Sequence, residues 1–272
     1  MPLITVTSGI GCGASSIAAD VSRRLGIPLF DDMRLRERAR TMGIDVREIE
    51  VADSRVPGFW SRLLDLKPRF YTEFLESVVL DAASDGEGVF LGHGATFLLQ
   101  DFDCALQLRI YSKPSERIRR IMGESGLGYE GAKAAVERSD GDRKGFVAYA
   151  FHRDWDDLSL YDLVINRDQM GEEAAVEIVV HGANTAGVRA CGLKSLEALD
   201  RLSLKSRVKA VIRKTSLKPE GFHVAVPEPG VVRVSGEINP LESKERLLGA
   251  IRSVPGVKTV ESLIRGEKLH DI

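Results

Sequence analysis

The chain is poor in cysteine and in net charge, and each shortage closes off a class of protein. Its three cysteines, Cys12, Cys104 and Cys191, are odd in number, widely separated and lack C-x-x-C spacing, which argues against a disulfide framework and against a zinc site. Lys and Arg total 38 against 40 Asp and Glu, a formal charge of -2, so no nucleic-acid partner is expected. No run approaches the roughly 18 to 20 apolar residues that span a bilayer, and no transmembrane segment is expected. Met1-Pro2 leads straight into Leu3-Ile4-Thr5-Val6 without a basic leader, a long apolar stretch or a cleavage site, so the expected location is a reducing cytoplasm. What remains is 272 residues, 43% hydrophobic and 29% charged, enough for one large domain or for a medium and a small one.

The order of patterns favours two domains. Leu3 to Thr7 reads as a strand, followed by a glycine cluster and a helix from Ser15 to Leu25. Leu29-Phe30 leads to Asp31-Asp32, and charged helices follow over Arg34 to Met42 and Arg47 to Ala52. Pro68 to Ala83 is an amphipathic helix, and Gly88 to Gly92 and Cys104 to Tyr111 are strands. A helix opens at Pro114 with Ser112 as its expected N-cap, another covers Tyr129 to Arg138, and Leu163 to Asn166 is the last strand of the series. Alternating strands and helices predict an α/β fold, a parallel sheet with helices on both faces. Residues 1–182 form this domain, 183–198 read as a linker, and 199–272 form a small α+β domain of order α-β-β-α-β. In that domain a hairpin turns at Pro227-Glu228-Pro229-Gly230, and a helix near Pro240 to Val254 starts at Asn239.

The chemistry sits in Ser8-Gly9-Ile10-Gly11-Cys12-Gly13-Ala14-Ser15-Ser16, between a strand and a helix. Glycines there let backbone N–H groups reach a phosphate, and the helix N-terminus adds positive potential. Gly9, Gly11 and Gly13 supply that geometry, and Ser15 and Ser16 offer hydroxyls to phosphate or, at Ser15, to magnesium. Against G-x-x-x-x-G-K-[ST], Ala14 stands at the lysine position. The same residues also fit G-x-G-x-x-A with Asp31 about 20 residues on as a ribose ligand, the dinucleotide fingerprint. A glycine turn without any ligand is the plain alternative.

Several segments together resemble the cytidylate kinase-like family of P-loop nucleoside monophosphate kinases: Ile4 to Gly13, Leu25-Gly26-Ile27-Pro28-Leu29-Phe30-Asp31, Gly92-His93-Gly94-Ala95-Thr96-Phe97, Leu108-Arg109-Ile110, Glu116 to Arg120, and Tyr161 to Asn166. The resemblance covers about residues 1 to 180. It implies transfer of the γ-phosphoryl group of ATP to a nucleoside monophosphate, CMP-like, with Mg2+, chemistry governed by positioning and by cations around the moving group. Arg138, Asp140 and Arg143 fall where the family has its lid, so Arg138 and Arg143 are the candidate catalytic arginines and Arg153 a further one. Asp31, His93, Arg109, Asp140 and Arg153 are the candidate acceptor-side residues. Mixed charge at 138–143 also suits a solvated helix face, and Asp31 also suits a cap or turn.

Two positions depart from the pattern. Ala14 removes the loop's lysine, and His93 stands where cytidylate kinases carry an arginine. Each removes a fixed cation, worth about 10²- to 10³-fold in rate. The alternative function is therefore a catalytically weak nucleotide-binding regulator. Residues from about 200 to 268 resemble a BON domain, through Gly230 to Gly236 and Val254 to Val260. That resemblance implies a protein or phospholipid partner, with Lys205, Arg207, Lys209, Arg213 and Lys214 as a basic stretch.

Overall fold

A computed structural model describes residues 2–42, 68–189, 192–215, 221–238 and 242–265. The helix expected over Arg47 to Ala52 and the N-cap at Asn239 lie outside these residues. The chain divides into two compact units, Met1–Ser195 and Leu196–Ile272.

In the first unit β1 (Leu3–Ser8), α1 (Ala14–Leu25), β2 (Leu29–Phe30), α2 (Asp32–Thr41), α3 (Pro68–Ala83), β3 (Gly88–Leu91), α4 (Ala95–Leu98), β4 (Ala105–Tyr111), α5 (Pro114–Ser125), α6 (Tyr129–Phe151), β5 (Leu163–Asn166), α7 (Arg167–Ala183) and α8 (Ala186–Arg189) follow in order. The strands form one sheet, β2-β3-β1-β4-β5, with every neighbouring pair parallel.

Period-two alternation gives this sheet two unlike faces. Ile4, Val6, Leu106, Leu108 and Ile110 project to one side and pack with Ile17, Ala18 and Val21 of α1 and Ala175, Val176 and Val179 of α7. Such side chains contribute about 1.5 to 3 kcal/mol each when fully buried. The other side is polar yet buried. Thr96 Oγ1 lies 2.8 Å from the hydroxyls of both Thr5 and Thr7, Thr5 also bonds Gln107, and Gln107 Nε2 donates to Leu99 O at 3.2 Å. With each hydroxyl partnered, burial of these groups costs little.

Three expectations are corrected. Helix α6 does not stop at Arg138 but continues to Phe151, since Ala132, Ala135, Val136, Ser139, Phe146 and Val147 keep one face buried throughout. Lys113, not Ser112, is the residue before α5, and the Ser112 hydroxyl instead donates to Asp168 at 2.7 Å. Cys104 is disulfide-bonded while Cys12 is free and buried, so the argument against disulfides from odd number, wide separation and missing C-x-x-C spacing fails at Cys104. Helix α8 and the start of α9 (Leu193–Lys214) lie within residues 183–198.

The second unit continues from α9 through β6 (Phe222–Glu228), β7 (Val231–Glu237), α10 (Glu242–Arg252) and β8 (Thr259–Arg265), the expected α-β-β-α-β order. β6 and β7 form the antiparallel hairpin, and β8 adds parallel to β7 after the α10 crossover. Leu204, Val208 and Ile212 of α9 and Leu247, Leu248 and Ile251 of α10 cover Val224, Val232, Val234 and Ile264 of the sheet. Among the described residues no helix is long and apolar enough to cross a membrane.

Candidate functional site

The carboxyl ends of β1, β3, β4 and β5 point the same way, so the segments that follow them gather at one edge of the sheet, where open α/β sheets bind ligands. After β1 the chain turns through Gly9 to Gly13 into α1. Gly11 and Gly13 hold φ of 74° and 69°, in the left-handed region where a side chain is strained. Gly13 is the N-cap of α1 and has no side chain to cap it. The first N–H groups of a 12-residue helix are thus left for a ligand, and an anion suits them best. Ala14 is buried at the first helical position, whereas Ser15 and Ser16 are exposed. The Ser16 hydroxyl donates to Gly13 O at 3.0 Å and helps hold the Glu172 carboxyl below its usual range.

Four arginines surround the loop. Arg117 of α5 donates through Nε to Ile10 O at 2.7 Å and through both terminal nitrogens to Asp140 of α6, each at 2.7 Å. Its side chain is only 8% exposed. Burial works against its charge, but the Asp140 bonds outweigh that and hold its pKa above the ordinary value. Arg120, one turn on, donates to Gly11 O at 2.7 Å, to the Ser112 hydroxyl at 2.8 Å and to Asp168 at 2.6 Å. Arg167 packs its guanidinium against Gly13 and pairs with Glu172 at 2.5 Å. Arg143 lies near Cys12, Asp140 and Arg117. Its Nε makes only a 3.5 Å contact with the Ser139 hydroxyl, and burial pushes its pKa below the ordinary value. The Cys12 thiol is raised by burial, against the opposing pull of Arg117 and Arg143.

The remaining candidates are placed otherwise. Arg138 is exposed, and two residues from Asp140 on a helix is a rotation of about 200°, so it projects away from the loop. Arg153 is also exposed. Arg109 turns to the polar face of the sheet: it bonds Trp155 O and Asp156, the latter at 2.7 Å, and stacks 4.4 Å from the Trp155 ring centroid and 5.4 Å from that of Tyr161. Asp31 is the N-cap of α2, accepting from Arg34 N at 3.0 Å, the capping alternative. The neighbouring Asp32, absent from the sequence candidates, meets His93 Nε2 at 3.0 Å.

His93 is buried and left-handed, φ 56°, between Gly92 at 76° and Gly94 at 71°. Gly92, His93 and Gly94 are three consecutive left-handed residues after β3, and the Phe151 ring occupies the space a Gly94 side chain would need. A cleft of about 500 Å3 opens beside the loop, lined by Lys113, Glu116 and Arg119 on one side and Arg167, Asp168 and Glu172 on the other. The cleft is open and lined by charged side chains, with a volume in the range of small-molecule sites.

A five-stranded parallel sheet, a glycine loop feeding an uncapped helix and a ring of arginines define a protein of the P-loop kinase fold. The family model for the cytidylate kinase-like family matches residues 3–169, and that for the BON domain matches residues 200–267. The chain belongs to the cytidylate kinase-like family and carries a BON domain behind it. It is 28% identical over 182 residues to the cytidylate kinase of Pyrobaculum aerophilum, covering 65% of this chain and 90% of that protein. With the cytidylate kinase of Thermoplasma acidophilum identity is 25% over 184 residues, 66% of this chain and 90% of the relative. An uncharacterized protein from Eubacterium ventriosum shares the fold, with a TM-score of 0.52 and 18% identity over 68% of this chain and 99% of that structure.

Proposed function

We propose that the first unit transfers the γ-phosphoryl group of ATP to a nucleoside monophosphate, with CMP the first acceptor to test. The observation that carries this reading is Arg143, a half-buried guanidinium beside the loop with no carboxylate within ion-pair distance among the described residues. A desolvated cation without a counterion is costly, and a phosphate bound to the α1 N-terminus supplies one. Curated relatives named cytidylate kinase support the reaction class. In this reading the loop N–H groups hold the phosphates, the cleft by Arg119 and Arg167 holds the nucleoside, and Arg143 meets the charge that develops on the transferred group.

Among the described residues no cluster of three or more His, Cys, Asp or Glu is arranged for a metal. The donor set instead fits a magnesium that arrives on the nucleotide, with the exposed Ser15 hydroxyl as its protein contact. Bound there, magnesium neutralises phosphate charge. The BON domain is read as a binding appendage for a protein or phospholipid partner.

The test is ADP formation from ATP and magnesium with each monophosphate in turn. Turnover near 1 to 100 s⁻¹ with one acceptor is expected, and rates below about 10⁻² s⁻¹ with all of them exclude the reaction. Ala14 favours a second reading, a nucleotide-binding regulator with weak transfer, which that same low rate would leave standing if calorimetry showed nucleotide binding.

A further inference from the structure

We propose that Arg117 and Arg120 of α5 replace the lysine the phosphate loop lacks, acting from behind the loop by gripping the carbonyls of Ile10 and Gly11. The proposal rests on reading the loop as a phosphate site and goes beyond it by assigning the loop's missing cation.

Peptide geometry is the first argument. In a trans peptide the C=O of one residue and the N–H of the next point in opposite directions. Arg117 Nε fixes Ile10 O and Arg120 Nη1 fixes Gly11 O, each at 2.7 Å. The N–H of Gly11 is therefore turned away from α5, while that of Cys12 closes a turn back onto Gly9 O at 3.4 Å. Two long side chains of one helix, three residues apart, fix two successive peptides of the loop.

The fit between loop and helix is the second. A Cβ on Gly9 would lie 2.6 Å from Arg117 Cζ and 2.9 Å from Asp140 Oδ1, and one on Gly11 would lie 2.8 Å from Arg117 O. The two glycines bring the loop backbone directly against the guanidinium, which stands behind the loop with only one peptide layer between it and a phosphate on the N–H side. Asp140 and Asp168 hold the two guanidinium groups in place, and Ile10 packs with Ile118, Ala132 and Val136 of α5 and α6. The field of Arg117 reaches the loop, where it lowers the Cys12 thiol against the effect of burial.

A lysine on α1 reaches a phosphate with a flexible stem, whereas these arginines are fixed before the ligand arrives, and Arg143 is left for the moving group. They are positioning residues. Their loss should weaken ligands in proportion to phosphate charge and spare the nucleoside.

The experiment uses the full chain and calorimetry with the non-hydrolysable triphosphate adenosine 5′-(β,γ-imido)triphosphate and with adenosine. Arg117→Met should weaken the triphosphate about 10- to 100-fold, the scale of one charge-assisted contact, and change adenosine by less than about twofold. Ala14→Lys should restore most of the triphosphate affinity in the Arg117→Met background and add much less to the unaltered chain, a non-additivity that independent sites do not show. If Arg117→Met does not fold, Arg117→Met with Asp140→Leu removes both members of the pair and carries the same comparison. Equal triphosphate affinity with and without Arg117, equal losses for triphosphate and adenosine, or the same gain from Ala14→Lys in both backgrounds each overturn the proposal. Failure of the unaltered chain to bind the triphosphate overturns the phosphate-site reading as well, which separates the two failures.

Discussion

Arg117 and Asp140, 23 residues apart on two helices, close a two-bond ion pair directly over the space where a Gly9 side chain would stand. The pair joins sequence to chemistry: a glycine admits the guanidinium, the guanidinium orients the loop carbonyl, and the carboxylate fixes the guanidinium. Breaking a buried pair by removing one member is strongly destabilising, so the three residues act as one unit.

Gly9→Ala tests the fit. The added methyl group meets Arg117 and Asp140 together, and neither is a free side-chain end that can move at no cost. Overpacking of this kind costs about 1 to 3 kcal/mol. Thermal unfolding should show that loss, and triphosphate affinity should fall at least about tenfold as Arg117 is pushed from Ile10. A variant as stable and as tight-binding as the parent would show that the contact has no role.

Asp168 gives the site a pH signature. Burial opposes its ionisation, but the Ser112 hydroxyl, the Lys113 N–H and the Arg120 guanidinium outweigh it and hold the carboxyl below its usual range. A depressed native pKa contributes stability that is complete above the unfolded value, about 3.9, and is lost as pH falls through the native one. Asp168→Asn should cost about 1 to 3 kcal/mol at pH 7. That gap should close progressively below about pH 4 in unfolding titrations of both proteins. A gap that stays constant into strong acid would remove Asp168 from the account.

His93 separates backbone from side chain. With φ at 56° it is strained, and its imidazole meets Asp32. His93→Ala and His93→Gly both lose that contact, but only glycine accepts the left-handed backbone without cost. The glycine variant should therefore be the more stable by about 1 kcal/mol in chemical denaturation. Equal stability, or alanine ahead, would mean that the backbone relaxes when the imidazole goes.

The local parts of this protein were legible in its residues. The strand-loop-helix of β1 and α1, the hairpin at Pro227 to Gly230 and the strand Leu163–Asn166 each depend on neighbours in the chain, so pattern and spacing reveal them. The arginine grip was not legible, since Arg117 and Asp140 meet only once α5 and α6 pack, and the helix face of Arg117 looks like a solvated one. The extent of α6 is marked in the residues too, since Val136, Phe146 and Val147 keep apolar side chains on its buried face through the charged segment. Asp31 and Asp32 are adjacent carboxylates, and only the start of α2 decides that the first caps the helix and the second faces His93.

Arg109 is the remaining case where position in the strand suggested one role and packing assigns another. It follows the register of β4 beside Thr7, close to the loop in sequence order. Its guanidinium is nevertheless enclosed by Trp155, Tyr161 and Asp156. Arg109→Met should remove a cation–π contact worth about 0.5 to 2 kcal/mol and a hydrogen-bonded pair worth about 1.5 to 3. Asp156 keeps Lys144 at 2.5 Å, so no carboxylate is left without a cation and the chain should still fold. Nucleotide affinity should stay within about threefold of the parent while the melting temperature falls, because the cage supports the segment after α6 rather than the phosphates. A large loss of triphosphate affinity in a variant that melts normally would return Arg109 to the phosphate site.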